Sequence, residues 1–308
     1  MPASVRAAIQ HCAPFQPADV VILNDPYQGG NHLPDITLVS PVFAGDSGQF
    51  TVDGKQPAFF VASRAHHADV GGMSPGSMPS TELFQEGIII PPLKLVDGGQ
   101  RNEALWQLIL RNVRTPQERQ GDLAAQLAAH TTGEKRLHEI VARSGLATVL
   151  FQADSLIDYA NSMTRAAIRQ MPNGRFTFTD YLDPEADANP IPIQATITIH
   201  EEQMTIDFAG TATAVSGNLN AVPAIALSAA AYCLRCVALA LLGIDLPMNE
   251  GAFMPSASPS PGSLLHPPPT PMRWRPVTWR PRSVLWMSSL APWPSPCRRS
   301  SPPPAREP

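Results

Sequence analysis

The sequence predicts an α+β fold, on three observations. Residues 18 to 63 hold short apolar runs separated by glycine- and aspartate-rich turns, the pattern of strands. From Asn102 to Met171 the apolar spacing becomes helical, with Leu105, Leu108 and Ile109 and then Leu123 and Leu127 on one stripe. From Gly174 to Phe208 apolar and polar residues alternate, as in an antiparallel sheet with one wet face. The expected parts are a β-rich segment (1–100), a helical segment (101–172), an antiparallel sheet followed by a buried helix (173–254) and a disordered tail (255–308).

In chain order, the first strands are Asp19 to Leu23, Asp35 to Val39 and Gln56 to Ala62, with turns at Gly45-Asp46-Ser47-Gly48 and Asp53-Gly54. Met73 to Glu86 is a glycine, proline and serine loop long enough to cover a site. Pro116, Gly133, Gly145 and Pro172 divide the middle into about four helices. Arg111-Asn112-Val113-Arg114 and Arg119-Gln120-Gly121-Asp122 form a dense polar cluster there, read first as a solvated helix end and second as an anion contact. The later strands are Gly174 to Tyr181, Ile193 to His200 and Gln203 to Phe208. Ala221 to Ile244 is apolar enough to raise a membrane span, but Pro223, Arg235 and its many alanines favour a buried core helix.

Composition excludes several classes. Seven of the 22 basic residues and one of the 26 acidic ones lie in the tail, so residues 1–254 carry about −10. An acidic body without a basic stripe is a poor nucleic-acid binder. Four cysteines in 308 residues make no disulfide framework, which points to a reducing, cytoplasmic setting. Cys233-x-x-Cys236 lies in an apolar helical run and reads as buried thiols rather than a zinc or redox pair. No phosphate-binding glycine loop is present, so ATP is not expected in this chain.

Two polar loops follow the first and third strands. Asn24-Asp25-Pro26-Tyr27-Gln28-Gly29-Gly30-Asn31-His32-Leu33-Pro34-Asp35 and Arg64-Ala65-His66-His67-Ala68-Asp69-Val70-Gly71-Gly72 hold three of the eight histidines. Pro34 excludes a regular helix, so a tight turn can aim His32 and Asp35 at one point, with one or both of His66 and His67 completing the shell. Imidazole and carboxylate donors suit zinc, manganese or iron better than calcium or magnesium. The competing reading makes His32 a turn residue, with one of His66 and His67 packed inward, because neighbours on a strand face opposite ways. Asn24, Asp25 and Arg64 are the candidate substrate contacts.

These loops, with Pro75-Gly76-Ser77-Met78, Asp207-Phe208-x-Gly210-Thr211 and Gly217-Asn218-Leu219-Asn220-Ala221, resemble B-type subunits of the hydantoinase/oxoprolinase family over about residues 1 to 270. The resemblance implies a small-molecule enzyme that works with an A-type subunit, which binds ATP and phosphorylates a carbonyl. The reaction expected is hydrolysis of a hydantoin or oxoproline-like ring. An acetone or acetophenone carboxylase-like reaction is the alternative, and an inactive truncated product a second. In acetone carboxylase a manganese ion sits on histidine and aspartate ligands, which carries over to His32, Asp35 and His66 or His67.

Two departures from the family pattern give further expectations. The first residues resemble an internal segment, so the chain reads as truncated at its start. After Gly262 to Pro267 the expected continuation gives way to proline, arginine, tryptophan and serine, as a frameshift near residues 262–272 would produce. Residues 255–308 hold 16 of the 34 prolines and four of the five tryptophans, a composition with no periodicity from which to form a core. A proline-rich partner ligand is the competing reading of the same stretch.

Overall fold

The computed structural model describes residues 1–43, 57–77, 80–183, 189–215, 219–253 and 256–258, with 263 and 265. Its first sheet consists of β1 (Val20–Leu23), β2 (Asp35–Val42), β3 (Phe59–His66), β4 (Leu93–Asp97) and β5 (Gln100–Arg101), in the order β3-β2-β1-β4-β5. Every pairing in it is antiparallel. Helix α1 (Pro2–Cys12), with a proline in its first turn, covers one face, where Ala8 and Phe15 pack with Val21, Leu23 and Val39. The expected loop at Met73–Glu86 contains the single-turn helix α2 (Leu83–Glu86).

On the opposite face Val20, Ile22, Ile36 and Leu38 meet Leu105, Trp106, Ile109 and Leu123. These come from α3 (Glu103–Arg111), capped by the Asn102 side chain accepting from the Leu105 N–H, and α4 (Pro116–Ser144). Covered on both faces, β1 is a continuous apolar run, and β2 is buried along nearly its whole length with Thr37 and Ser40 as buried polar positions.

The middle holds three helices where four were expected, because α4 runs straight through Gly133. A Cβ at Gly133 would lie 3.0 Å from Val61 Cγ1, so this glycine lets the helix approach β3 instead of ending it. The break comes at Gly145 (φ +79°), where the chain turns by 108° into α5 (Leu146–Ile168).

A second sheet contains β6 (Gly174–Leu182), β7 (Ile191–His200), β8 (Gln203–Asp207) and β9 (Ser256–Ser258). The first three pair antiparallel, as expected, and β9 joins β8 in parallel. Together with a bridge between Thr213 and Ser263 and the buried Leu265, β9 carries the fold into the stretch expected to be tail. Residues 266–308, where the rest of that expectation falls, lie outside the described residues.

Helix α6 (Pro223–Leu242) corrects two expectations. Its buried positions are Ala226, Leu234 and Ala238: Ala238 meets Ala160 and Ala167 of α5, and Leu234 meets Ile168, Ile199, Met204 and Ile206. Leu227, Val237, Leu239 and Leu241 are exposed, so the helix is buried at few positions rather than throughout. Cys233 and Cys236 are exposed as well. By length and composition α6 could cross a bilayer, while Arg235 is paired with Asp245 at 2.7 Å and 2.8 Å. The wet-face expectation also fails on edge strand β6, where Phe176 and Phe178 are exposed.

A string of polar groups is buried between α4 and the first sheet. His130 lies between two serines, with Ser40 Oγ 2.6 Å from Nδ1 and Ser63 Oγ 2.8 Å from Nε2. Burial pushes its pKa down to about 4. The unfolded chain takes up this proton near 6.5 and the folded one only near 4, so the contribution is whole above pH 6.5 and is lost as pH falls. The slope is at most about 1.4 kcal/mol per pH unit. The stability gap between wild type and His130→Gln, measured by urea unfolding, is expected to narrow steadily from about pH 6.5 to about pH 4. A gap independent of pH would contradict this.

Candidate metal centre

The register of β2 and β3 builds the site. Asp35 opens β2 and is paired directly with His66, the last residue of β3. The turn before β2 is closed by the Asp35 N–H donating to the His32 carbonyl at 2.9 Å, which brings the His32 ring back over the strand ends. His66 Nδ1 lies 2.9 Å from Asp35 Oδ1, and the His32 and His66 rings stack with centroids 5.2 Å apart.

One donor atom from each of His32, Asp35 and His66 lies within 4.8 Å of the other two. His32 and Asp35 are half-buried and His66 is exposed, so the cluster opens to solvent at the sheet edge. Hydrogen bonding to Asp35 raises the His66 pKa, burial opposing it. Two imidazoles and a carboxylate are a borderline donor set that fits zinc, manganese or iron, and three protein ligands leave positions open, as a catalytic ion requires.

His67 is not in the cluster. As strand alternation requires, it turns to the opposite face, is buried, and lies with Nε2 3.0 Å from Gln126 Oε1. Asn24 is likewise corrected as a substrate contact. It is fully buried, donates from Nδ2 to the carbonyls of Leu33 (2.8 Å) and Ile88 (2.9 Å), and accepts the Ile90 N–H at 2.6 Å. Its side chain fastens the His32 loop to the segment leading into β4. Asp25 is buried too, accepting from the Tyr27 N–H and Gln28 Nε2 within its own turn. The turn is so close that a Cβ on Gly30 would lie 2.2 Å from the Asn24 carbonyl oxygen.

Arg64 remains beside the cluster, two residues before His66 on the same strand face. It donates from Nε to Thr37 Oγ1 at 2.9 Å and from Nη2 to Ser4 Oγ at 2.8 Å, tying α1 to the sheet. Burial lowers its pKa and Asp35 raises it, so guanidinium and carboxylate are within electrostatic reach. The polar cluster after α3 is largely exposed at Arg111, Asn112, Arg114 and Gln120, as a solvated helix end requires, while two of its arginines are tied into the fold: Arg114 Nη1 donates to buried Asp69 at 2.9 Å, and buried Arg119 donates to Asp122 at 2.8 Å. The residue that sequence reasoning passed over is Gln126. It sits among Leu123, Leu127 and His130 at helical spacing, a polar group on an apolar stripe.

Comparison with known proteins places this geometry in context. The hydantoinase B/oxoprolinase family matches residues 1–284. The chain is 34% identical to Arabidopsis thaliana 5-oxoprolinase 1, covering 87% of this chain and 22% of that protein. It is 29% identical to the putative B-type subunit of a D-/L-hydantoinase from Pseudomonas sp. (strain NS671), covering 82% of this chain and 43% of the relative. The crystal structure of the ATP-dependent caprolactamase from Pseudomonas jessenii superposes with a TM-score of 0.76 at 28% identity, covering 88% of this chain and 46% of that one. The chain thus spans less than half the length of each of these three proteins.

Proposed function

Because the chain belongs to the hydantoinase B/oxoprolinase family, we propose that it forms the metal-bearing B-type part of an ATP-dependent hydrolase of cyclic amides, acting with an A-type subunit in the cytoplasm. The observation that carries this reading is the convergence of His32, Asp35 and His66 at the open end of β2 and β3. The names of the relatives, a 5-oxoprolinase, a hydantoinase and a caprolactamase, share hydrolysis of a ring amide as their common chemistry.

Each residue has a role in this reading. His32, Asp35 and His66 hold a divalent ion, which when bound supplies Lewis acidity toward a substrate oxygen or a more acidic water. Asp35 also orients the His66 ring through its Nδ1 hydrogen bond. Arg64 places fixed positive charge beside the cluster, favouring a substrate oxygen that carries partial or full negative charge. ATP chemistry belongs to the A-type partner.

The test is ATP turnover by the chain co-purified with an A-type subunit, with hydantoin, 5-oxoproline and caprolactam offered in turn. Ring-dependent ADP formation that needs no bicarbonate is expected. Turnover that requires a ketone and bicarbonate would replace this reading with carboxylation, and failure of the two chains to associate would contradict the assembly.

A further inference from the structure

We propose that Gln126 is the positioning residue of the metal centre, clamping β2 to β3 from the sheet face opposite the ligands. The inference rests on the metal reading above and adds a role for a side chain that cannot touch the ion. Asp35 and His66 form a cross-strand pair facing α1, and the residue after each, Ile36 and His67, presents its side chain to α4. The buried Gln126 amide reaches both: Nε2 donates to the Ile36 carbonyl at 3.1 Å, and Oε1 accepts from His67 Nε2 at 3.0 Å.

The amide orientation follows from these partners. A carbonyl can only accept, so the amide nitrogen faces Ile36, its oxygen faces His67, and His67 must be the donor. One side chain therefore ties the two strands together diagonally across the ligand pair, from Ile36 one step inside it to His67 one step beyond it. That is where the sheet ends: past His66, one further backbone bond follows, from the His67 N–H to the Pro34 carbonyl at 2.8 Å. His66 is itself exposed, so its place depends on Asp35, on the stacked His32 ring and on the backbone beneath it. Removing the clamp leaves a buried imidazole N–H without a partner, takes the side-chain donor from the Ile36 carbonyl and loosens the strand ends on which Asp35 and His66 stand.

The experiment is a cobalt(II) titration of the purified full chain, followed by visible absorption, with urea unfolding run on each variant. Wild type is expected to bind one equivalent with a defined ligand-field spectrum. Gln126→Met, of similar shape but without the amide, is expected to weaken binding by about 10- to 100-fold and alter the spectrum. Gln126→Glu, which keeps an acceptor for His67 but cannot donate to Ile36, is expected to fall between the two. Ser40→Ala, in the same buried string but away from the ligands, is expected to lower the urea midpoint and leave cobalt affinity unchanged. Wild-type affinity and spectrum in either folded Gln126 variant would overturn the inference alone. A wild-type chain that binds no cobalt would overturn the metal centre and this inference with it.

Discussion

Asn24→Leu is expected to destabilise the fold by about 3 kcal/mol or more, a large effect for a residue in a polar loop. The leucine fills similar volume, but it removes an acceptor from the buried Ile90 N–H and a donor from the Leu33 and Ile88 carbonyls. A buried group left unpaired costs about 1–3 kcal/mol, and three are created at one point. Asn24→Asp is expected to be at least as harmful, although it is nearly isosteric. It keeps the acceptor for Ile90 but aims its other carboxylate oxygen at two carbonyl oxygens in a site closed to water. Urea unfolding of the two variants checks this, and a loss below about 1 kcal/mol in either would contradict the role assigned to Asn24.

Asn24 also shows how far the site could be read from the sequence. A polar residue in a loop beside histidines invites a substrate role, yet the same residue type satisfies buried backbone groups, and only the burial decides. His66 and His67 were half legible. Strand alternation requires them to face opposite ways, but which of them joins His32 depends on the Asp35–His66 pairing, a contact 31 residues apart. Gln126 was legible in principle, as a polar interruption of the Leu123, Leu127 and His130 stripe.

The fold divides along the same line. Apolar runs with β-branched residues and turn signals located β1, β2 and β3, and clean alternation located β6, β7 and β8. The short β4 and β5 escaped because they follow two prolines and precede a helix cap, leaving too few residues for a pattern. Gly133 looked like a helix stop because its reason, close approach to Val61, is tertiary. Helix α6 is apolar on most sides apart from Ser228 and Arg235, so its composition could not tell that only Ala226, Leu234 and Ala238 are covered.

The proposed chemistry stands or falls on the ion. His32, Asp35 and His66 are the ligands proposed, so replacing two of them should remove the ion while sparing the core, because none of the three belongs to a hydrophobic cluster. Loss of Asp35 also frees His66 from the bond that orients it, leaving a flexible exposed imidazole. Metal binding must also weaken as pH falls, since a proton competes for His66, whose pKa is raised above the ordinary histidine value. The most direct measurement is metal content by mass spectrometry of the purified chain at about pH 8, well above the histidine range, beside His32→Ala/Asp35→Ala prepared identically. Close to one equivalent of zinc, manganese or iron is expected in wild type and almost none in the folded double variant. A folded wild-type chain without metal, or a double variant that retains it, would contradict the metal centre.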